Sequence, residues 1–495
     1  MAKNLMIQGT MSGAGKSILT AGILRILKQD GYRVAPFKSQ NMALNSFVTK
    51  DGKEIGRAQA LQAAAAGIEP SSDMNPILLK PMGDTTSQVI INGIPYGNMR
   101  AAEYFKMKTK FIPDIKAAYE RLAKDSDIVV IEGAGSPVEI NLRENDIVNM
   151  GLANILDAPV LLAGNIDPGG VFAQLLGTVN LMPEDERARI KGLIINKFRG
   201  DVSLLEPGLS MFKPYCDIPF AGVVPYVDLD LDEEDSVSER LVINKKSEIN
   251  SKVSIVVVRL PFISNYTDFT ILEGIPGVSL SYINSSDALE KADIIIIPGT
   301  KNTLSDIRWL KETGLYSKII ECSNKGSLII GICGGFQMLG DSIYDLSGEE
   351  GGGDEKGLTL LPIKTEFKKD KTLKQVKVKL CDLEGSYKPL SGTEVSGYEI
   401  HMGESIIERE GASKSIRDIL VISNENVLGT YIHGFFDEPE LTKKLLQIVY
   451  DRKGIKEKVP EIEGALVHQN RELDRLSDVL RDSLDWKLIY SAIGI

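Results

Sequence analysis

One stretch of the sequence strongly restricts the possible folds, because in it an apolar strand passes into a helix through a glycine-flanked cysteine. Residues 325–340 read KGSLIIGICGGFQMLG, with Cys333 at the centre of the turn. Such a tight strand-to-helix turn lifts a nucleophile clear of its sheet, as in G-x-S-x-G elbows. The positive end of the following helix favours a thiolate. We predict a reactive cysteine; the alternative is a small buried cysteine in a glycine-rich turn.

A histidine on a later strand is the expected base. The chain has three histidines, and His433 ends the strand pattern GTYIH. An imidazole there can take the thiol proton and return it to a leaving amine. The apolar run DIIIIPG ends at Gly299, and the backbone N–H groups of Gly299 and Gly334 are our candidates for binding an oxyanion.

Residues 252 to about 440 therefore resemble a class I glutamine amidotransferase, and this resemblance implies glutamine hydrolysis through a thioester. That superfamily usually has a glutamate two residues after its histidine, where this chain has Phe435. The departure resembles the cobyric acid synthase branch and leaves open which group orients His433. Glu399 in GYEIHMG is a candidate only because it lies near a histidine in the sequence.

The N-terminal residues contain a second strand, loop and helix, with GTMSGAGKS at 9–17. Small residues let backbone N–H groups approach phosphate oxygens, Lys16 reaches the β- and γ-phosphates, and Ser17 ligates Mg²⁺. The alternative is a chance glycine-rich turn. The glycine expected at position 10 lies one residue earlier, which resembles dethiobiotin synthetases. The predicted nucleotide-binding residues are Thr10, Ser12, Gly13, Gly15, Lys16, Ser17 and Asn196, the last because related enzymes contact the base there.

Further polar residues follow strand patterns, where ligands bind in open α/β sheets. Glu132 ends the apolar run IVVIE and is the second predicted Mg²⁺ ligand, with Ser17. The predicted substrate-binding residues are Lys38, Gln40, Asn41 and Lys80. Asn165 and Pro168 stand where the family commonly has Asp and Arg, so two charges that would serve substrate or metal are missing.

Composition excludes several classes of protein. The chain has 495 residues, 43% of them hydrophobic and 25% charged, with a formal net charge of −11. The negative charge argues against a general nucleic-acid surface. No apolar run approaches the roughly 20 residues of a membrane helix, and the first residues enter a strand without a signal-peptide core, so we expect a cytoplasmic protein. Four scattered cysteines indicate neither a zinc site nor disulfides. The sequence leaves the oligomeric state open.

The expected fold class is α/β. We predict an N-terminal P-loop domain with a parallel sheet, similar to dethiobiotin synthetase, a C-terminal amidotransferase-like α/β domain, and a helical tail. The acidic segment DLDLDEEDSVSE, 228–239, marks the boundary. The predicted divisions are an ATP-binding domain at 1–232, an acidic linker at 233–251, an amidotransferase domain at 252–440 and a helical segment at 441–495.

Nearly the whole chain resembles the cobyric acid synthase family, through GTMSGAGKS, FKSQNMALNS, IEGAGSPVEINL, GICGGFQMLG, GYEIHMG and GTYIHGFF. The resemblance implies that ATP and Mg²⁺ activate carboxylates of adenosylcobyrinic acid a,c-diamide at b, d, e and g, and that ammonia from glutamine amidates them. Alternatives are the sibling step that makes the a,c-diamide, a partitioning-type ATPase with an inactive amidotransferase module, and a ligase like dethiobiotin synthetase that needs no Cys333.

Overall fold

The computed structural model describes residues 2–82, 85–231, 251–346, 348, 350, 352–409, 412–415 and 420–495. The described residues form two compact units. The first takes 2–49, 53–231 and 468–495, and the second takes 50–52 and the described part of 251–467. All but the last residue of the predicted acidic linker lie outside the described residues.

The first unit contains twelve strands and ten helices among its described residues. Its strands are β1 Lys3–Gly9, β2 Val34–Phe37, β3 Gln40–Met42, β4 Ser46–Val48, β5 Glu54–Gly56, β6 Ile77–Pro81, β7 Thr86–Ile91, β8 Ile94–Arg100, β9 Ile128–Glu132, β10 Val160–Asn165, β11 Ile190–Phe198 and β12 Phe220–Pro225. Its helices are α1 Lys16–Gln29, α2 Arg57–Ala66, α3 Ala101–Met107, α4 Ile112–Asp125, α5 Met150–Leu156, α6 Val171–Leu181, α7 Glu184–Arg187, α8 Glu206–Phe212 and, at the C-terminus, α14 Ala465–Ser483 and α15 Trp486–Ile493.

The main sheet of this unit has the order β12-β11-β10-β1-β9-β2, and all its neighbouring strands are parallel. The strands are apolar runs because helices cover both faces of such a sheet. All residues of β9, and those of β1 from Leu5 onward, are buried. The loops after β1, β9 and β2 leave the same edge of three adjacent strands. The predicted phosphate-binding loop, Glu132 and Lys38 lie at this edge, whereas Gln40, Asn41 and Lys80 lie on a separate sheet, β3-β6-β7-β8.

The C-terminal helices complete the core of the first unit. Leu476 and Leu480 of α14 pack on α1, where a Cβ on Gly22 would lie 2.3 Å from Leu480 Cδ1. Arg25 Nε forms an ion pair with Asp474 at 2.7 Å. The predicted helical tail is therefore present, and its last two helices belong to the N-terminal unit, because their leucine face supplies apolar surface that α1 needs for burial.

The second unit contains eleven strands and five helices among its described residues. The strands are β13 Val253–Val258, β14 Val278–Ile283, β15 Ile294–Ile297, β16 Leu328–Ile332, β17 Ser342–Asp345, β18 Gly353–Lys356, β19 Ile363–Lys379, β20 Glu394–Arg409, β21 Ala412–Ser415, β22 Val421–Asn424 and β23 Val427–Thr430. The helices are α9 Thr270–Glu273, α10 Thr303–Glu312, α11 Leu315–Asn324, α12 Gly334–Met338 and α13 Pro439–Lys453.

Its main sheet has the order β14-β13-β15-β16-β23-β22, parallel except for the β22–β23 pair. A second sheet is built on the long antiparallel β19–β20 pair. The predicted α/β class, with a parallel sheet in the N-terminal domain and an α/β domain after it, is confirmed. Strands β16 and β23 are neighbours, so the residues that follow them meet at one edge.

Candidate active sites

Cys333 lies at the turn between β16 and α12 in a strained backbone conformation. Its φ of 52° and ψ of −110° are unfavourable for a residue with a side chain. Such strain persists where the surrounding structure fixes it and is common at functional sites. Here the Cys333 N–H donates to Thr430 O of the adjacent strand at 2.8 Å, and the thiol lies 3.4 Å from Ile400 O. The turn is the predicted nucleophile elbow.

His433 follows the neighbouring strand β23, which brings its imidazole close enough to Cys333 for the thiol to raise the pKa of the ring. On the other side of the ring, Asp268 Oδ2 lies 2.7 Å from His433 Nδ1. Asp268 Oδ1 also accepts the N–H of Gly434 at 3.0 Å. All three side chains are buried. The structure thus brings Cys333, His433 and Asp268 together in a Cys–His–Asp arrangement, in which Asp268 contacts the imidazole directly.

The electrostatic environment keeps His433 in its protonated form at neutral pH. Burial by itself lowers the pKa of the imidazole, but the charge and hydrogen bond of Asp268 and the hydrogen bond of Cys333 outweigh it and raise the pKa from 6.5 to about 10. Tyr398 stacks on the ring with centroids 5.3 Å apart. The ring is therefore both charged and fixed in orientation.

The two glycines predicted to bind an oxyanion lie beside this pair. A Cβ on Gly299 would stand 3.1 Å from His433 Cε1, and one on Gly334 would stand 2.6 Å from Thr300 Cγ2. Close packing therefore requires glycine at both positions. Gly334 is also the first residue of α12, directly after the nucleophile. Cys333, His433, Gly299 and Gly334 are thus brought together as one site.

The residue that orients His433 is one that sequence reasoning missed. Asp268 follows β13 in the loop PFISNYTDF, where no motif separates it from other loop carboxylates. Phe435, at the usual glutamate position, is fully buried in the apolar core. Glu399 instead pairs with His401 at 3.2 Å and with Lys374 at 2.8 Å. Since β13 lies two strands from β16, only the fold brings Asp268 to the histidine.

The phosphate-binding loop of the first unit joins β1 to α1. Gly15 has a φ of 84°, and a Cβ there would lie 2.2 Å from Asn196 Nδ2. Asn196 Nδ2 donates to Ala14 O at 2.9 Å, so this predicted residue does lie against the loop. Lys16 Nζ donates to Met11 O at 3.2 Å. The loop is thus already folded, and the hydrogen bond from Lys16 to Met11 O joins its two ends.

The remaining predicted loop residues lie on the same turn. Thr10 Oγ1 donates to Gln174 Oε1 at 3.2 Å. Gly13 has a φ of 74°, and its carbonyl accepts from Asn165 Nδ2 at 3.4 Å. Ser12 is exposed between them. Because this chain has Asn165 where the family commonly has an aspartate, the loop contacts a neutral amide in place of a carboxylate.

Glu132 ends β9 as a buried carboxylate surrounded by donors. Its Oε1 accepts from Ser17 Oγ and Lys38 Nζ, each at 2.8 Å, and its Oε2 accepts from Gln62 Nε2 at 2.5 Å. A hydroxyl oxygen beside a carboxylate oxygen is a donor set that Mg²⁺ accepts, with phosphate and water completing its shell. The two predicted metal ligands, Ser17 and Glu132, thus fit the ion.

The predicted substrate residues are held in different ways. Lys38 is buried against Glu132. Gln40 Oε1 accepts from Tyr104 at 2.5 Å, and Asn41 Nδ2 donates to Gln59 at 2.9 Å.

Lys80 lies in a different environment. Its Nζ contacts Glu54 at 2.8 Å and Ser46 at 2.9 Å, and lysine and glutamate are both buried. Lys80 is therefore paired with a buried glutamate, as Lys38 is.

Two further features near this site did not follow from the sequence. Asn149 donates to Ala134 O at 2.6 Å and Ser136 O at 3.2 Å, and so holds the loop after Glu132. Asp167 pairs with Arg199 at 3.1 Å. Pro168, the second departure, follows Asp167 in the turn before α6.

Comparison with known proteins assigns both halves of the chain. The model of the CobQ/CobB/MinD/ParA nucleotide binding domain matches residues 5–237, and that of the CobB/CobQ-like glutamine amidotransferase domain matches residues 254–441. In the part of the chain that the structure describes, no helix combines the length and apolar character needed to cross a membrane.

Full-length relatives of the chain support the same assignment. The chain is 53% identical to "Cobyric acid synthase" of Lachnoclostridium phytofermentans, with 99% of each chain covered. It is 50% identical to "Cobyric acid synthase" of Ruminiclostridium cellulolyticum, covering 100% of this chain and 97% of the relative. It is 49% identical to "Cobyric acid synthase" of Clostridium botulinum strain Loch Maree, covering 100% of both. This chain belongs to the cobyric acid synthase family.

Proposed function

We propose that the chain is an ATP- and glutamine-dependent amide ligase of cobalamin biosynthesis. In this proposal the second unit releases ammonia from glutamine, and the first unit activates a corrinoid carboxylate that the ammonia attacks. The observation that carries the proposal is the position of Cys333 beside an imidazole fixed by Asp268, in a chain whose other unit has a phosphate-binding loop.

In the glutaminase half-reaction, the Cys333 sulfur attacks the side-chain amide carbon of glutamine. The N–H groups of Gly299 and Gly334 stabilise the negative charge on the amide oxygen. His433, protonated at neutral pH, donates its proton to the departing amine, so the C–N bond breaks and ammonia leaves a thioester. Water then attacks the thioester, His433 accepts its proton, and glutamate leaves.

In the ligase half-reaction, the loop containing Lys16 holds the triphosphate, and a substrate carboxylate attacks the γ-phosphorus. ADP leaves and an acyl phosphate forms; ammonia then displaces phosphate to give the amide. Ser17 and Glu132 would hold Mg²⁺, which would supply positive charge to the triphosphate. Lys38, at the same edge of the sheet, is our candidate to contact the substrate carboxylate.

We assign adenosylcobyrinic acid a,c-diamide as the acceptor, with amidation at b, d, e and g, in the cytoplasm. The test is incubation with ATP, Mg²⁺ and glutamine labelled with ¹⁵N at the amide, followed by mass spectrometry of the corrinoid. The proposal expects the a,c-diamide to gain four labelled amides. If the protein instead adds labelled amides only to the a and c carboxylates of the unamidated corrinoid, it catalyses the sibling step. ATP hydrolysis without corrinoid product would favour the partitioning-type ATPase.

A further inference from the structure

Two loops meet at the imidazole of His433, and they are joined to each other. One carries Asp268 and the other carries Gly299. Ser264 N–H donates to Gly299 O at 2.9 Å, and Lys301 N–H donates to Phe262 O at 3.0 Å. A shift of either loop would therefore displace both the partner of the histidine and a predicted oxyanion donor.

Asp306 lies behind this junction and contacts both loops. It occupies the first turn of α10 and is completely buried. Its Oδ1 accepts the N–H of Phe262 at 3.3 Å, and its Oδ2 forms a hydrogen bond with the hydroxyl of Thr300. A single carboxyl group thus links the loop of Asp268 to the loop of Gly299.

Two acceptor oxygens, Phe262 O and Asp306 Oδ2, lie within hydrogen-bonding distance of the hydroxyl of Thr300. Thr300 Oγ1 accepts the N–H of Asn302 at 3.1 Å and lies 3.0 Å from Phe262 O as well as against Asp306. Its one hydroxyl proton cannot serve two acceptors. If Asp306 is protonated, it donates to Thr300, and Thr300 donates to Phe262 O, which also accepts the N–H of Lys301.

The charges around Asp306 agree with a neutral form near pH 7. Burial raises the pKa of Asp306 to about 7, the hydrogen bonds from Thr300 and Phe262 lower it, and the negative charge of Glu350 raises it. Glu350 is itself buried, accepts the N–H of Thr303 at 2.8 Å and is attracted by Lys301.

We propose that Asp306 is a positioning residue of the glutaminase site. In its neutral form it relays a hydrogen bond through Thr300 to Phe262, and so holds the loop of Asp268 against the loop of Gly299. This inference rests on the proposed glutamine hydrolysis at Cys333. Asp306 itself contacts neither Cys333 nor His433 among the hydrogen bonds of the described residues.

The test compares Asp306→Asn with Asp306→Ala in steady-state glutamine hydrolysis. An asparagine amide donates to Thr300 while its oxygen accepts from Phe262, which is the pattern of the neutral acid. We expect Asp306→Asn to keep kcat near the wild-type value. We expect Asp306→Ala to lose about 100-fold in kcat, the scale of a small misplacement of reacting groups, with KM little changed. The ratio of kcat for Asp306→Asn to wild type should rise as pH increases through about 7.

Circular dichroism and thermal unfolding serve as the folding control, because Asp306 and Thr300 lie in the second unit, whereas ammonia-dependent amidation reports on the first. If Asp306→Ala does not fold, Thr300→Val and Thr300→Ser decide: valine keeps the shape but removes the hydroxyl and should lower kcat, whereas serine should retain it. Equal losses in Asp306→Asn and Asp306→Ala, or full activity of Asp306→Ala or Thr300→Val, would overturn the inference. A wild-type protein that does not hydrolyse glutamine would instead refute the proposed function.

Discussion

Asp268 and His433 are joined by a 2.7 Å contact between Oδ2 and Nδ1, and the other oxygen of Asp268 holds the backbone N–H of Gly434. The carboxylate therefore fixes both the imidazole ring and the chain next to it. In Ser–His–Asp triads an aspartate in this place sets the tautomer and orientation of the histidine. Asp268 takes the place of the glutamate that Phe435 excludes.

Asp268→Asn is expected to lower kcat for glutamine hydrolysis by roughly 100- to 10,000-fold, since the analogous change in a serine protease costs about 10⁴. Ammonia-dependent amidation should be unchanged. Glutamate release and corrinoid product are the two measurements, and Asp287→Asn, at an exposed position in the same unit, is the matched control. A mutant with wild-type glutaminase activity would remove Asp268 from the site.

The protonation of His433 gives a second prediction. With three histidines in the chain, NMR of labelled histidine can follow the ring directly. His433 should titrate near pH 10 in the wild type, and its pKa should fall in Asp268→Asn, because burial then dominates. A titration at the ordinary value near 6.5 in the wild type would contradict the account.

The same shift predicts how stability depends on pH. A folded-state pKa raised from 6.5 to about 10 contributes stability that is fully present below pH 6.5 and is lost as pH rises through about 10. The difference in Tm between wild type and Asp268→Asn should therefore shrink over this range. A difference in Tm that grows with pH would contradict a raised pKa of His433 in the folded state.

The fold class and the family could be predicted because they depend on local patterns. The turn at Cys333 and the loop at Lys16 each combine a strand, small residues and a helix within one short segment. The family comparisons confirm the two domain types, a nucleotide-binding domain and a glutamine amidotransferase domain. The parallel sheets follow from the same alternation of strands and helices.

Asp268 could not be predicted, because its role depends on which strands become neighbours. Its distance in sequence from His433 is 165 residues, and no spacing rule spans such a gap. The ion pair of Lys80 could not be predicted for a similar reason. Its partner Glu54 lies on β5, and only the packing of β5 near β6 shows that the charge is balanced internally.

Lys16→Ala is expected to abolish amidation with either nitrogen source, because no acyl phosphate forms without a held triphosphate. Glutamine hydrolysis measured without corrinoid should continue. Lys213→Ala, exposed in the same unit, is the matched control. Ammonia-driven product from Lys16→Ala at the wild-type rate would refute the phosphate-loop assignment.

Glu132→Gln tests the metal site separately from catalysis. Calorimetric titration should show a loss of roughly 10- to 100-fold in affinity for ATP with Mg²⁺, the scale of altered metal-site partners. Binding of ATP in EDTA should change much less. Glu139→Gln, exposed in the loop after β9, is the control. Equal losses with and without Mg²⁺ would mean that Glu132 acts on the fold of the loop and not on the ion.

The most direct test of the central claim measures corrinoid amidation by Cys333→Ala with two nitrogen sources. If ammonia from glutamine hydrolysis is consumed in corrinoid amidation, the mutant should make no product from glutamine, because no thioester forms. It should make product from ammonia at the wild-type rate. Product from glutamine at equal rates in mutant and wild type would contradict the claim that Cys333 supplies the nitrogen.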